Sequence, residues 1–316
     1  MEVESMTLKF IQDFSSLIEN FWKDCKLRGM TKESIRRYKS SLDIFADYFR
    51  NANPVDVNNQ MLKDFLEYLK FERGVKHKTI ENYFAALSAF YDYLIFEGIT
   101  DKSIILSFRK RYLRMYKNDS EQSTRQLLSI EDASKLVNFI MDPRDKAIAV
   151  LLAKTGIRRG EMLKLDIGDI DWNNYSIMLK PTPKRSNRAV YFDDECAIVL
   201  RRWLKVREKL NPATKALFIS YRTFERLSRN GASNAIVKYA KRLGFHNSES
   251  KRLEDHFGPH CFRHWFTTYL LRNGMPREYV KELRGDKRKE AIDIYHHIDK
   301  QDLRKAYLAC IPKLGI

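Results

Sequence analysis

The sequence predicts a mainly α protein of two domains: an N-terminal four-helix unit and a larger α-rich domain with a small β hairpin. Three observations predict it. Apolar residues recur at helical spacing over most of the chain. A polar stretch without apolar period, residues 114–127, divides it. Strand character is confined to two short runs, YSIMLK and AVYF, joined by the basic loop PTPKRSNR. With 316 residues, 44% of them hydrophobic, the chain is long enough for two cores of ordinary domain size.

The elements follow in order. Residues 8–28 place Phe10, Phe14, Leu17, Ile18 and Phe21 on one helical face. Thr31 is suited to cap a second helix running through Arg50, whose stripe is Ile35, Tyr38, Leu42, Phe45 and Phe49. The Asn-rich NANPVDVNNQ, 51–60, reads as a loop. A third helix covers about 58–72, and a fourth runs from Thr79 to Phe96 and stops at Gly98. These aromatic stripes are core positions rather than a cofactor box. The domain boundaries are therefore 1–113, a linker over 114–127, and 128–316. Ser129 and Asp132 make a capping box at the start of the second domain. PRDKAIAVLLAKTG is a buried helix ending at Gly156, IRRGEMLKL a short helix, and IGDIDWNN a turn. Beyond the two strands, helices are expected at 194–210, then near 222–229, 231–243, 258–273 and 276–283. No internal repeat or low-complexity segment occurs.

Charge narrows the partner. The chain has 58 Lys and Arg against 41 Asp and Glu, a net +17 with pI about 9.6. That balance points to a polyanion, either nucleic acid or an anionic membrane surface. Residues 1–120 hold 20 basic against 17 acidic side chains, and residues 121–316 hold 38 against 24, so the second domain carries most of the excess. The cluster in 101–120 mixes basic residues with Tyr and Phe, which suits either phosphate contact or a solvated helix face. No apolar run approaches the roughly 20 residues of a membrane span. MEVESMTLKF lacks the apolar core of a signal peptide, and no basic amphipathic helix with an exposed apolar face stands out. The expectation is a soluble intracellular protein that meets DNA and no membrane. Cys25, Cys196, Cys261 and Cys310 are far apart and form no CxxC pair, which argues against zinc and a disulfide framework. No P-loop and no carboxylate cluster of the two-metal nuclease type is evident.

The candidate chemistry concentrates in GPHCFRHWFTTYLLRNGMPREYVKELRGDKRKEAIDIYHHI, residues 258–298. His260 and Arg263 share a helix face. Arg263 suits a phosphate and His260 can move a proton beside it. Tyr295, after a basic Gly-containing turn, is a candidate nucleophile. Arg158 follows the Thr155-Gly156 break at a helix start, with Glu161 one turn on to hold it. Lys184, in the basic hairpin loop, could deliver a proton to a leaving oxygen; Lys180 and Arg185 are nearby competitors.

Taken together, TGIRRGEML with Arg158, the hairpin around Lys184, HCFRH with His260 and Arg263, and LRGDKRKEAIDIYHHI with Tyr295 resemble the tyrosine recombinase, or phage integrase, family. The boxes match over about 127–300, and the helical unit at 8–113 is similar to the family's core-binding, SAM-like domain. The resemblance implies that Tyr295 attacks a DNA phosphodiester and joins the 3′ phosphate. Arg158 and Arg263 would clamp the nonbridging oxygens, Lys184 would protonate the leaving 5′ oxygen, and His260 would assist proton transfer at the tyrosine. It implies no metal and no nucleotide cofactor. The partners would be double-stranded DNA, clamped between the domains, and the protein itself, as a tetramer on two paired sites exchanging strands through a Holliday junction in the cytoplasm at the nucleoid. One departure is Asp286, which stands where the family usually has His or Trp; it could orient His260 or the tyrosine hydroxyl, or be a divergent structural residue. After Tyr295, Leu303, Tyr307, Leu308 and Ile311 fit one face of a short helix, which would dock on a neighbouring subunit, as in the family, or on its own domain. No extra N-terminal arm-binding domain is obvious, a lean toward a simple Xer-like enzyme. Two other readings share these features: a monomeric type IB topoisomerase and a noncatalytic DNA-binding protein.

Overall fold

The computed structural model describes residues 14–50, 52–114, 125–181, 188–250, 252–286 and 298–316. It divides into two compact units, Met1–Glu121 and Gln122–Ile316. Of the expected linker, residues 115–124 lie outside the described residues.

The first unit is built from α1 (Phe14–Leu27), α2 (Lys32–Tyr48), α3 (Asn59–Glu67), α4 (His77–Phe96) and α5 (Ile105–Tyr112). Local chemistry sets the helix starts. Thr31 Oγ1 accepts the Ser34 N–H at 3.2 Å, and Asn58 Oδ1 accepts those of Gln60 and Met61. α3 passes directly into a π turn at Tyr68–Glu72. The expected stripes interlock: the Phe45 ring meets Phe14, Phe49 and Phe65 at centroid distances of 5.7, 5.0 and 5.0 Å. α5 goes beyond the four helices expected. It forms because Ile105 and Phe108 are buried, Phe108 stacking on Phe84 of α4 at 5.3 Å. Arg109, Lys110 and Arg111 fill its last turn, where they complement the negative end of the helix dipole.

The second unit is organised around α7 (Pro143–Thr155), whose Ala147–Ala153 run is fully buried. α6 (Ile130–Phe139) precedes it, capped by Ser129 as expected, and α8 (Arg159–Met162) follows. α9 (Asp194–Lys209), α10 (Arg229–Arg242) and α11 (Pro259–Arg272) pack against α7. α12 (Arg277–Arg284) and α13 (Lys300–Cys310) complete the unit. β1 (Ile170–Asp171), β2 (Ser176–Leu179) and β3 (Arg188–Tyr191) form one antiparallel sheet in that order, with Ile177 opposite both Ile170 and Val190. β1 comes from the segment expected to be a turn, because Ile170 is drawn into the core and pairs there with β2.

The helix expected near 222–229 does not form. Ser220 Oγ instead accepts the Arg222 and Thr223 N–H groups, and Ile219 bridges to Arg226. Arg226 donates to the carbonyls of Leu163 and Leu165, contacts that a helix there would lose. α13 packs on its own unit: Leu303, Tyr307 and Ile311 join Phe266, Leu270 and Leu283 in one apolar cluster. All four cysteines are free and buried. Among the described residues no helix is long and apolar enough to cross a membrane.

Gly156 fixes the approach of α7 to α11. Its φ of +58° caps α7 in the left-handed region, and a Cβ there would lie within 2.8 Å of three carbons of the Phe266 ring. A glycine at this point brings Arg158 and Arg263 into one neighbourhood.

Candidate active site

Gly258-Pro259 opens α11, with proline at its first position where no backbone donor is needed. His260 follows, exposed, and Arg263 sits one turn deeper at 4% exposure. Arg263 Nη1 donates to the Gly156 carbonyl at 2.7 Å, and its Nη2 to the Arg284 carbonyl at 2.9 Å. Arg158 caps α8. Its N–H donates to Glu161 Oε2 at 2.8 Å, and its Nη1 donates to the same Arg284 carbonyl at 3.1 Å. The two guanidinium groups thus share one acceptor and converge.

α12 brings that acceptor. It ends at Gly285, with φ +60°, where a Cβ would meet the Arg188 guanidinium within 2.7 Å. Arg188, at the start of β3, is 8% exposed. It donates to both Glu161 oxygens at 3.1 Å and, through Nε, to the Leu283 carbonyl at 3.1 Å. It therefore ties the carboxylate that holds Arg158 to the helix end that receives both arginines. Charge-assisted bidentate geometry of this kind is what guanidinium groups supply and ammonium groups do not. Sequence reasoning missed Arg188. The available signal was strand alternation, which puts it on the face of Val190, a buried position.

Asp286 follows Gly285 and faces the arginines. Its Oδ1 lies 3.5 Å from Arg158 Nη2 and 3.4 Å from Arg263 Nη2, and its Oδ2 lies 3.1 Å from Arg284 Nε. Among the described residues Arg158, Arg263 and Arg284 are thus ion-pair partners around it. Burial lowers the Arg263 pKa first, then repulsion from Arg158 and Arg284, with Glu161 and Asp286 opposing; the group stays protonated near neutral pH. Burial also lowers Arg158, with Glu161 opposing. The His260 pKa is lowered, first by desolvation and then by Arg125, Arg263 and Arg158, so its ring is neutral at pH 7 and can take a proton.

A cleft of about 380 Å³ adjoins these groups, lined by Arg125, Arg158, Arg159, Arg229, His256 and His260. Its four arginines suit a phosphodiester backbone. Lys180, the competitor of Lys184, is engaged with Asp166 and with Asp169 at 3.5 Å. Lys184, Arg185 and Tyr295 lie outside the described residues. Among the described residues no group of three or more His, Cys, Asp or Glu is placed to hold a metal ion.

Comparison with known proteins gives the family and the fold. Residues 122–302 match the model of the phage integrase family, and residues 17–101 match that of the phage integrase N-terminal SAM-like domain. The chain is 28% identical over 292 residues to a tyrosine recombinase XerC of Oceanobacillus iheyensis, covering 89% of this chain and 90% of that one. It is 29% identical over 286 residues to a XerC of Pelotomaculum thermopropionicum, covering 86% and 88%. Among solved structures, a lambda integrase dimer bound to a core site superposes with a TM-score of 0.69 at 15% identity, over 91% of this chain and 98% of that one. The XerH recombinase bound to its difH substrate before cleavage gives 0.63 at 22%, over 93% and 83%. At these identities the structural likeness speaks for the fold.

Proposed function

The chain belongs to the phage integrase family, and from that premise we propose that it is a site-specific DNA recombinase of the tyrosine type. The observation that carries the reading is the convergence of Arg158 and Arg263 on the Arg284 carbonyl at the edge of a basic cleft, with the neutral His260 beside them. Two guanidinium groups fixed at one point stabilise the charge that builds on the nonbridging oxygens of a phosphodiester under attack.

The reaction proceeds in two balanced transfers. The Tyr295 oxygen bonds to phosphorus while the bond to the 5′ oxygen breaks. His260 takes the tyrosine proton, and Lys184 gives one to the departing oxygen. Engagement of Lys180 by Asp166 and Asp169 favours Lys184 for that role. The phosphotyrosyl link keeps the energy of the broken bond, so a 5′ hydroxyl from the partner duplex can reverse the step and rejoin the strand. Exchange of one strand pair gives a Holliday junction, and exchange of the second resolves it. Strand exchange needs two DNA sites held together by copies of the protein, and we take the acting form to be a tetramer on DNA in the cytoplasm. It serves integration and excision of a mobile element or resolution of DNA dimers.

Covalent capture tests the reading. Duplex from the chain's own genomic neighbourhood, nicked to trap cleavage, is incubated with protein and run on a denaturing gel. A retarded band is expected with the native chain and none with Tyr295→Phe. Bound DNA without a band would turn the reading to a noncatalytic binding protein. A band without processing of a synthetic junction would turn it to a topoisomerase. The capture rate also has a predicted pH dependence. Because the His260 pKa is depressed, the neutral base persists below the ordinary histidine value of about 6.5 and is lost as pH falls through its lowered pKa. The acid limb of the rate profile is expected below pH ~6.5 and to vanish in His260→Gln. An acid limb unchanged by that substitution rules His260 out as the base.

A further inference from the structure

We infer that Asp286 is the resident counter-anion of the arginine pair, seated where the scissile phosphate must bind, and that DNA has to displace it before the strand is cut. This rests on the recombinase reading and adds a regulatory step to it. The inner donors of the pair are committed: Arg263 Nη1 to Gly156, and Arg158 Nη1 to the Arg284 carbonyl. Arg263 Nη2 gives one proton to the Arg284 carbonyl as well; its second proton and the Arg158 Nη2 group remain, and both nitrogens lie within 3.5 Å of one oxygen, Asp286 Oδ1. A phosphate clamped by both arginines needs those same donors. A carboxylate and a phosphate oxygen within about 4 Å of each other repel, so the two cannot share the seat.

Without an anion, two guanidinium groups aimed at one point repel as well. Asp286 relieves that repulsion in the DNA-free protein and keeps the pair converged. It also has somewhere to go. Its Oδ2 already lies 3.1 Å from Arg284 Nε, the side chain is partly exposed, and it hangs at the helix end just past Gly285. A turn about its side-chain torsions can keep Arg284 and release Arg158 and Arg263. The pair is thus occupied until a duplex, held by many other contacts, presses its phosphate into place. A neutral residue at 286 leaves the seat open.

The test compares the native chain with Asp286→Asn, Asp286→Glu and Asp286→His. In single-turnover capture with saturating nicked duplex, Asn and His variants should form the covalent complex about five-fold faster or more, the scale of one partly exposed charge pair. The Glu variant, which keeps the charge, should be no faster than the native chain. In a separate arm, inorganic sulfate is titrated against thermal melting. Asp286→Asn should reach its half-maximal shift at about five-fold lower sulfate than the native chain. That difference should disappear when Arg263→Lys is added. Melting without sulfate identifies a variant that has lost its fold, and Asp286→His carries the test if Asp286→Asn is lost. Equal sulfate midpoints, or slower capture by both neutral variants, overturn the proposal. If no protein captures any DNA, the recombinase reading fails, and the sulfate arm alone decides whether Asp286 occupies the seat.

Discussion

Arg263→Lys should slow covalent-complex formation by about 10²–10³-fold, the usual cost of removing one fixed donor from a site that stabilises developing charge. Equilibrium DNA binding should change by no more than a few-fold, because the positive charge stays and the cleft keeps Arg125, Arg158, Arg159 and Arg229. The geometry makes the case for so large an effect from so conservative a change. The guanidinium bonds the Gly156 carbonyl through one nitrogen and the Arg284 carbonyl through the other, and still aims Nη2 at the seat held by Asp286 Oδ1. Those three acceptors lie on the rim of a planar fork. A lysine has one nitrogen at the end of a flexible stem and cannot reach Gly156 and the seat together. Arg263→Ala is the poorer probe. It also takes the Arg263 donor from the buried Gly156 carbonyl, at a stability cost of about 1–3 kcal/mol, so lost folding would mix with lost chemistry. Rates from single-turnover capture and affinities from gel retardation separate the two effects. A lysine variant that cuts within three-fold of the native chain would show that Arg263 is a structural strut.

What could be read from the sequence is what is decided locally. Thr31 and Ser129 cap their helices through N–H groups three residues away, and Glu161 meets Arg158 at the same spacing. Helical stripes such as Phe45 and Phe65 show themselves by period alone. The pairing of His260 with Arg263 on α11 is likewise a matter of three residues. What could not be read depends on partners far along the chain. Arg226 takes its carbonyls from Leu163 and Leu165, and that choice defeats a helix which its own neighbours would allow. Arg188 is an ordinary basic residue beside a basic loop until Glu161, 27 residues away, and Leu283, 95 residues away, are placed around it. Asp286 reads as a departure from a pattern; its meaning appears when Arg158 and Arg263 arrive from two other helices. α5 was hidden for another reason. Its two buried anchors, Ile105 and Phe108, sit in a run of cations that dominates the composition.

Lys154→Met is expected to destabilise the second unit by about 3–5 kcal/mol, as for a buried ion network that loses its central cation, with Lys313 at 3.3 Å the remaining cation on Asp193. Lys154 lies in the last turn of α7, directly after the buried Ala147–Ala153 run, with none of its side chain exposed. Its ammonium donates to Asp193 Oδ2 at 2.8 Å, to Glu195 Oε2, and to the Pro312 carbonyl at 2.7 Å, which uses all three of its protons. Glu195 in turn accepts the N–H groups of Leu314, Gly315 and Ile316. One cation therefore joins α7, the start of α9 and the final residues of the chain. Burial alone would raise the Glu195 carboxyl, but the bonds from Lys154 and Leu314 hold it below the usual range. This stability is present above the unfolded value, about 4.3, and is lost as pH falls through the lowered one. Thermal melting should show Lys154→Met lower by roughly 6–20 °C for a unit of this size. The native chain should lose the difference in acid while the variant does not. Hydrogen exchange at Leu314–Ile316 gives the independent readout, because those donors lose a fixed acceptor when Glu195 is no longer held. Melting unchanged within ~1 °C would mean that methionine replaces the network at no net cost, a known outcome where apolar packing substitutes for buried charge, though one that requires Glu195 to find a proton. The acid-dependent arm distinguishes that case: such a variant would already carry the Glu195 proton at neutral pH, and its stability would be flat through the range where the native chain's falls.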